Sequence, residues 1–238
     1  MLIMMNKKIK IIIIIAVVSI LAYTAFYFTD YRHAEKKATD LLNGTENVSV
    51  VKQDYGYLLN GSGNDTLLIF YPGAKNDYIA YLPLMMNLSS RGVDCALVQM
   101  PFNFAFFGEN TADSIIDSTN YSRYVLAGHS LGGLSAAGFT NHTGKGDAVV
   151  LLAAYPNSHV SKPVLSIYGS NDKILNMKAY NDSKPLMDNL TEFVIDGGNH
   201  EQFAYYGYQE GDGEAKITPE NQQKQTADKI LEFISKLS

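Results

Sequence analysis

The chain has 238 residues, of which 46% are apolar, so it can form one α/β domain with a full core once an N-terminal segment is set aside. Its formal charge of -5 comes from scattered acidic and basic residues without a basic cluster, which argues against a nucleic-acid-binding protein. The single cysteine, Cys95, cannot form an internal disulfide, and its apolar surroundings predict a buried strand thiol.

The N-terminal segment predicts a membrane anchor. Residues 11–28 carry no charge, and about 18 helical residues nearly cross the hydrocarbon core of a bilayer. The end of this run, at residues 22–27, carries bulky aromatic residues in place of an Ala-x-Ala cleavage pattern, which favours an uncleaved signal anchor over a removed signal peptide. Three preceding lysines favour a cytoplasmic N-terminus, hence a single-pass protein of the cell membrane with an extracytoplasmic catalytic domain. We expect an anchor over residues 1–30, a stalk over 31–45 and the folded domain over 46–238.

The folded domain is predicted to begin with short strands that form an antiparallel entry to a sheet, at residues 48–52, 55–59 and 66–71. Helices are then predicted at residues 77–90, from 131 onward, at 175–188 and at 219–237. They alternate with predicted strands at residues 93–99, 123–127, 147–152, 163–168 and 192–195. This alternation predicts an α/β fold with a mainly parallel central sheet and helices on both faces.

A nucleophile is predicted where one strand runs directly into a helix. Gly128-His129-Ser130-Leu131-Gly132 follows an apolar strand, and small residues continue as a helix. A G-x-S-x-G pattern alone is weak evidence, but this strand-to-helix context is what a nucleophile elbow requires. Ser130 is therefore the predicted nucleophile, and a glycine-rich turn before a packed helix is the alternative.

A serine nucleophile needs a base and a group that orients the base, both later in the chain. Asp172 follows the strand at residues 163–168, at the sheet edge where open α/β sheets build their sites, and is the predicted acid. His200 follows the next strand in a glycine-rich turn and is the predicted base. Asp196 is expected to be a turn residue, and the other histidines are expected to be structural. We found no metal-ligand motif in the sequence, and this chemistry needs neither metal nor cofactor.

The oxyanion hole should combine the backbone N–H of Leu131 with one from the loop that follows residues 66–71. Ala74 is the predicted second donor, with Gly73 or Lys75 as alternatives, because sequence does not fix the direction of an amide. A simple turn is the other interpretation of this loop.

Several segments together resemble the α/β-hydrolase superfamily, and in particular its α/β-hydrolase family 5 domain. They are Tyr71-Pro72-Gly73-Ala74-Lys75, Gln99-Met100-Pro101-Phe102-Asn103, Gly128-His129-Ser130-Leu131-Gly132-Gly133, Tyr168-Gly169-Ser170-Asn171-Asp172, Gly198-Asn199-His200-Glu201-Gln202-Phe203 and Gly211-Asp212-Gly213. The resemblance covers residues 66–237 and implies a hydrolase with Ser130, Asp172 and His200 at the triad positions. This family usually has a second glycine where the chain has Ala74, a departure that concerns the oxyanion loop and leaves the triad untouched.

The expected function is a membrane-anchored serine hydrolase, of the carboxylesterase type, that cleaves a small-molecule ester or lactone through an acyl-enzyme. Two alternatives stay open: an acyltransferase with the same triad, and a cell-surface binding module without turnover. The short connection between residues 152 and 163 predicts an open site without a large lid. Aromatic residues after residue 101 and after His200 could line the substrate pocket or pack in the core.

Overall fold

The computed structural model describes residues 6–63 and 65–237, and it divides them between an N-terminal unit that ends at Tyr31 and a compact unit that begins at Arg32. The N-terminal unit contains one long helix, α1 (Lys7–Thr29), whose apolar window has a mean hydropathy of 2.6. Its length and composition suit a membrane span and a signal sequence equally. No residue of α1 is buried.

The compact unit is built on one eight-stranded sheet. Its strands are β1 (Ser49–Gln53), β2 (Gly56–Asn60), β3 (Thr66–Tyr71), β4 (Asp94–Val98), β5 (Arg123–His129), β6 (Ala148–Leu152), β7 (Val160–Gly169) and β8 (Met187–Ile195). They lie in the order β1-β2-β4-β3-β5-β6-β7-β8. The pairs β1–β2 and β2–β4 are antiparallel and all other pairs are parallel, which confirms the predicted architecture.

The helices of the compact unit are α2 (Lys36–Thr39), α3 (Leu82–Ser89), α4 (Thr111–Ser118), α5 (Leu131–Thr143), α6 (Met177–Ser183) and α7 (Pro219–Ile234). Side chains of β3 alternate between two cores, as a strand buried on both faces requires. Leu68 and Phe70 pack with α3 and α7, whereas Leu67 and Ile69 pack with α4 and α5. The sheet is therefore covered on both faces, as predicted.

The boundaries differ from the predicted ones where turn chemistry overrides periodicity. The helix predicted at residues 175–188 is shorter, because Pro185 lies in a 3-10 turn and β8 already begins at Met187. Helix α4 was not predicted, since its eight residues carry few apolar side chains. Only residues 153–159 join β6 to β7, which leaves no room for a lid there.

Residues 32–45, predicted as a stalk, contain α2 and the 3-10 turn Asp40–Asn43. Arg32 donates its backbone N–H to the carbonyl of Lys75 at 2.8 Å, and Glu35 donates to Tyr205 at 2.8 Å. Ala38 is fully buried. From Arg32 onward the chain therefore packs against the same unit as the sheet.

Cys95 lies on β4 and is fully buried, as predicted. Burial raises the pKa of its thiol to about 12. The thiol is therefore protonated at neutral pH.

Candidate active site

Ser130 occupies the tight turn between β5 and α5, where its backbone adopts φ 52° and ψ -122°. A positive φ is costly for a residue with a Cβ and persists only where surrounding contacts enforce it. One such contact is the hydrogen bond from the N–H of Ser130 to the carbonyl of Leu152 on β6, at 2.9 Å. The local geometry is thus that of a strained strand-to-helix turn with the serine at its tip.

Glycines make this turn possible because backbone passes too close for a side chain. A Cβ on Gly132 would overlap the carbonyl oxygens of Tyr71 and Pro72 at the end of β3. A Cβ on Gly128 would overlap the backbone of Gly132. The turn is thereby wedged against the neighbouring strand, which fixes the serine relative to the sheet edge.

Asp172 and His200 form a buried pair at the same edge. Strands β7 and β8 are parallel neighbours, so the turns that follow them lie side by side. The Nδ1 atom of His200 lies 2.9 Å from Oδ2 of Asp172, and the two side chains are 2% and 1% exposed. The other carboxylate oxygen accepts backbone N–H groups of Ile174 and Leu175, each at 2.8 Å. These two bonds aim the carboxylate at the imidazole.

Ser130 and His200 line one cavity of about 220 Å³. The remaining lining residues are Leu131, Leu134, Ala153, Ala154, Tyr155, Ile174, Leu175 and Asn176. Within the described residues the Ser130 hydroxyl makes no hydrogen bond to the His200 ring, a looseness common in unliganded catalytic sites. The structure thus brings the predicted base and the predicted acid into contact, and the predicted nucleophile lines the same cavity as the predicted base.

Asp212 links the turn after β7, which carries Asp172, to the turn after β8, which carries His200. Its Oδ2 accepts the backbone N–H groups of His200 and Glu201 at 2.8 and 2.9 Å. Its Oδ1 accepts the N–H of Lys173, next to the acid, at 3.2 Å. One carboxylate therefore holds both turns in place. The Gly211-Asp212-Gly213 motif was the available signal, since glycines flanking an aspartate allow such a close approach.

His129, beside the nucleophile, is fully buried and bonded to Tyr81. The Tyr81 hydroxyl accepts the N–H of Gly73 at 3.1 Å and an N–H of Asn76 at 3.3 Å, so its own proton points to Nδ1 of His129, 2.7 Å away. Burial holds the pKa of His129 well below its usual value, and the nearby His200 acts in the same direction. His129 is therefore neutral. Through Tyr81 it connects the loop after β3 to the turn that carries Ser130, here called the nucleophile turn. Sequence reasoning missed Tyr81, because nothing in its local pattern distinguishes it from a core tyrosine.

Two amides of the loop after β3 are already paired. The N–H of Gly73 donates to Tyr81, and the N–H of Lys75 donates to the carbonyl of Asn103 at 2.8 Å. Within the described residues the N–H of Ala74 donates to no hydrogen-bond acceptor. Of the two predicted oxyanion residues, Leu131 lines the cavity and Ala74 does not.

The aromatic residues near the site divide between core and surface. Phe203, Tyr205 and Tyr206 are buried in the core. Phe102, Phe106 and Phe107 are exposed by 62%, 53% and 46%, and Phe106 borders the cavity of about 340 Å³ next to the serine cavity.

A model of the alpha/beta hydrolase family matches residues 67–224. Among solved structures, Est1E from Butyrivibrio proteoclasticus superposes with a TM-score of 0.55 at 16% identity, covering 80% of this chain and 100% of Est1E. A ferulic acid esterase from Streptomyces cinnamoneus gives a TM-score of 0.58 at 17% identity, over 74% of this chain and 68% of that chain. A serine hydrolase involved in carbazole degradation gives a TM-score of 0.58 at 12% identity, covering 79% of this chain and 99% of that chain. A comparison with curated proteins gave no significant match. At these identities the structures establish a shared fold.

Proposed function

Because the chain belongs to the α/β-hydrolase family, we propose that it is a membrane-anchored serine hydrolase that cleaves an ester or lactone. Family membership and the esterases among similar structures support a hydrolase. The observation that carries the finer proposal is the buried Asp172–His200 pair, 2.9 Å apart, at a cavity shared with Ser130. A strained serine beside a carboxylate-oriented imidazole is the arrangement that nucleophilic acyl transfer requires.

In the proposed mechanism, Ser130 rotates toward His200, whose Nε2 takes the hydroxyl proton as Oγ attacks the carbonyl carbon. Asp172 holds the proton on Nδ1 and stabilises the imidazolium. The N–H groups of Leu131 and Ala74 stabilise the charge on the tetrahedral oxygen. His200 then returns the proton to the leaving alcohol oxygen. In the second half, His200 deprotonates a water molecule that attacks the acyl carbon, and it returns this proton to Oγ of Ser130 as the acid leaves.

Membrane attachment is part of the proposal and rests on α1. Its apolar composition, together with Lys7, Lys8 and Lys10 at its start, supports a single-pass anchor in the cell membrane with the hydrolase domain outside the cytoplasm. Protease treatment of intact cells tests the orientation, since an external domain is digested and an internal one is spared.

Covalent labelling with a fluorophosphonate probe tests the enzyme assignment. The wild-type chain should label, and Ser130→Ala should not, while Ser135→Ala, a substitution in the same helix, should label like the wild type. A folded wild-type protein that never labels would establish a non-catalytic binding module instead.

A further inference from the structure

We propose that the active-site edge of the domain faces the bilayer and that the substrate is a long-chain acyl ester dissolved in the membrane. The proposal rests on the proposed function and adds to it a substrate class and a membrane-contact surface. The surface, here called the phenylalanine patch, consists of Phe102, Phe106 and Phe107.

The first argument is the point at which the chain enters the domain. Thr29 ends α1, and Arg32 begins the compact unit. Three residue steps span at most about 11 Å of extended chain, so a membrane-spanning α1 keeps Arg32 close to the bilayer surface. Whichever edge of the domain holds Arg32 must therefore lie near the membrane.

Arg32 is held at the active-site edge by three hydrogen bonds. Its N–H donates to the carbonyl of Lys75 at 2.8 Å, and its carbonyl accepts the N–H of Asp77 at 2.8 Å. Its guanidinium donates to Asn76 at 3.0 Å. These partners belong to the loop after β3, which is wedged against the nucleophile turn through Gly132. The short tether thus leads to the loop beside Ser130.

The phenylalanine patch lies at the same place. Lys75 donates its N–H to the carbonyl of Asn103, which follows Phe102. Phe102 and Asn103 both have positive φ, 53° and 58°, and this tight turn presents Phe102 outward with 62% of its surface exposed. The rings form one group, since those of Phe106 and Phe107 are 4.1 Å apart and those of Phe102 and Phe107 are 5.7 Å apart. An exposed aromatic group beside a membrane tether is suited to the bilayer interface, where aromatic side chains concentrate.

Two leucines connect the patch to the serine. Phe106 borders the cavity of about 340 Å³ together with Leu131 and Leu134, whereas most of the other residues that line it are polar. The same two leucines line the cavity that contains Ser130 and His200. An acyl chain that enters from the bilayer at the patch would therefore contact Leu131 and Leu134 on its way to the nucleophile, an apolar contact that a small polar ester lacks.

Tryptophan fluorescence tests the membrane contact directly, because the chain has no tryptophan. Phe102→Trp is introduced into the full-length protein in vesicles of phosphatidylcholine and phosphatidylglycerol, with or without bromine on the acyl chains. Asn189→Trp is the matched control, exposed at the amino end of β8, on the opposite edge of the sheet. We expect strong quenching at position 102 and little at position 189. Equal quenching at the two positions overturns the proposal.

Turnover tests the substrate class. The measured quantity is the ratio between hydrolysis of a long-chain diacylglycerol embedded in the vesicles and hydrolysis of a soluble butyrate ester. In Phe102→Ser/Phe107→Ser this ratio should fall about tenfold or more, since burial of one phenylalanine accounts for at least that factor. Val51→Ser, an exposed apolar residue on the edge strand β1, should leave the ratio unchanged. An unchanged ratio in the double variant, or a preference for the soluble ester in wild type, overturns the substrate assignment.

The two proposals fail separately. Fluorophosphonate labelling of Ser130 with equal quenching at positions 102 and 189 refutes the membrane-facing site and keeps the hydrolase. Quenching in Phe102→Trp, together with a wild-type chain that never labels, refutes the hydrolase and with it the acyl ester as substrate.

Discussion

The nucleophile turn and the acid–base turns are held in place by different means. Ser130 is positioned by main chain packed against main chain, with Gly128 and Gly132 admitting contacts that no side chain would allow. Asp172 and His200 are positioned by carboxylates that accept backbone N–H groups. The turn that carries Ser130 depends on glycines without side chains, and the turns that carry Asp172 and His200 depend on charged carboxylates. The two should therefore respond to different substitutions.

The largest expected effect is a loss of kcat when the carboxylate of Asp172 is removed. Asp172→Asn replaces the carboxylate that faces Nδ1 of His200 with an amide, which no longer fixes the tautomer that the proposed mechanism needs. We expect kcat on an activated ester to fall about 10⁴-fold. Thermal unfolding of the same variant checks that the fold is retained.

Asp196→Asn is the control for that loss, since Asp196 is an exposed aspartate that also follows a strand and accepts a hydrogen bond from Ser170. It should retain wild-type kcat. Comparable losses in the two variants would contradict the assignment of Asp172.

Gly132→Ala tests the main-chain packing that positions Ser130. The added methyl group would overlap the Tyr71 and Pro72 carbonyl oxygens, so the turn must move away from β3. We expect the free energy of unfolding to fall by about 3 kcal/mol, the upper end for overpacking, with loss of probe labelling. Denaturant titration provides the measurement.

Gly144→Ala separates steric overlap from backbone strain. Gly144 ends α5 with φ 70° and has nothing within 4 Å of a Cβ, so alanine there costs only the left-handed conformation, about 1 kcal/mol. If Gly132→Ala and Gly144→Ala lost the same stability, close packing would not be the main reason for a glycine at position 132.

Asp212→Asn should weaken the hydrogen bonds that hold the turns carrying Asp172 and His200, without removing either of these residues. The amide keeps one acceptor but loses the charge that four backbone N–H groups share, those of His200, Glu201, Lys173 and Gly213. We expect about 2 kcal/mol lower stability and a lower kcat with little change in KM. Asp40→Asn, in an exposed i,i+4 pair with Lys36, should cost less than about 0.5 kcal/mol. A wild-type kcat in Asp212→Asn would show that other contacts hold the histidine turn.

Apart from the control variants, the smallest expected effect is a pH dependence from His129. Its pKa in the folded state lies well below 6.5, so below that pH the unfolded chain binds a proton that the folded chain does not. Stability from this residue is therefore present above pH 6.5 and lost as pH falls, by about 1.4 kcal/mol between about pH 7.5 and 5.5. Tyr81, His200 and Arg32 are the polar groups that act on it.

His129→Asn is the matched variant, because an amide oxygen can accept the Tyr81 proton without titrating. Its free energy of unfolding should change less over the same pH range, and the difference between the two curves should match the expected loss. Parallel curves would show that His129 does not titrate on unfolding in this range.

The sequence predicted most of the sheet and the places where chemistry gathers. Strands β3, β4 and β6 are fully buried and, apart from Thr66 and Asp94 at the start of β3 and β4, apolar throughout, and the alternation of strands with helices predicted their parallel pairing. The approach of Asp172 to His200 was expected because a serine nucleophile needs an acid and a base later in the chain, and each of the two residues follows a predicted strand. Only residues 192–195 of β8 were predicted as a strand, because its exposed residues interrupt the apolar pattern.

The parts of the site that escaped prediction depend on contacts between distant segments. Tyr81 bonds to a histidine 48 positions away, and Asp212 bonds to amides on two separate turns. Neither residue has a local pattern that reveals its partners, since a tyrosine near a helix start and an aspartate between glycines each have an ordinary explanation. Such residues become visible only when the fold brings their partners together.

The buried thiol on β4 makes the protein insensitive to thiol chemistry. A cysteine that stays protonated and enclosed neither reacts with alkylating reagents nor crosslinks two copies under oxidising conditions. The wild-type protein should migrate identically with and without reductant, and any cysteine engineered onto its surface would be the sole target for a maleimide label.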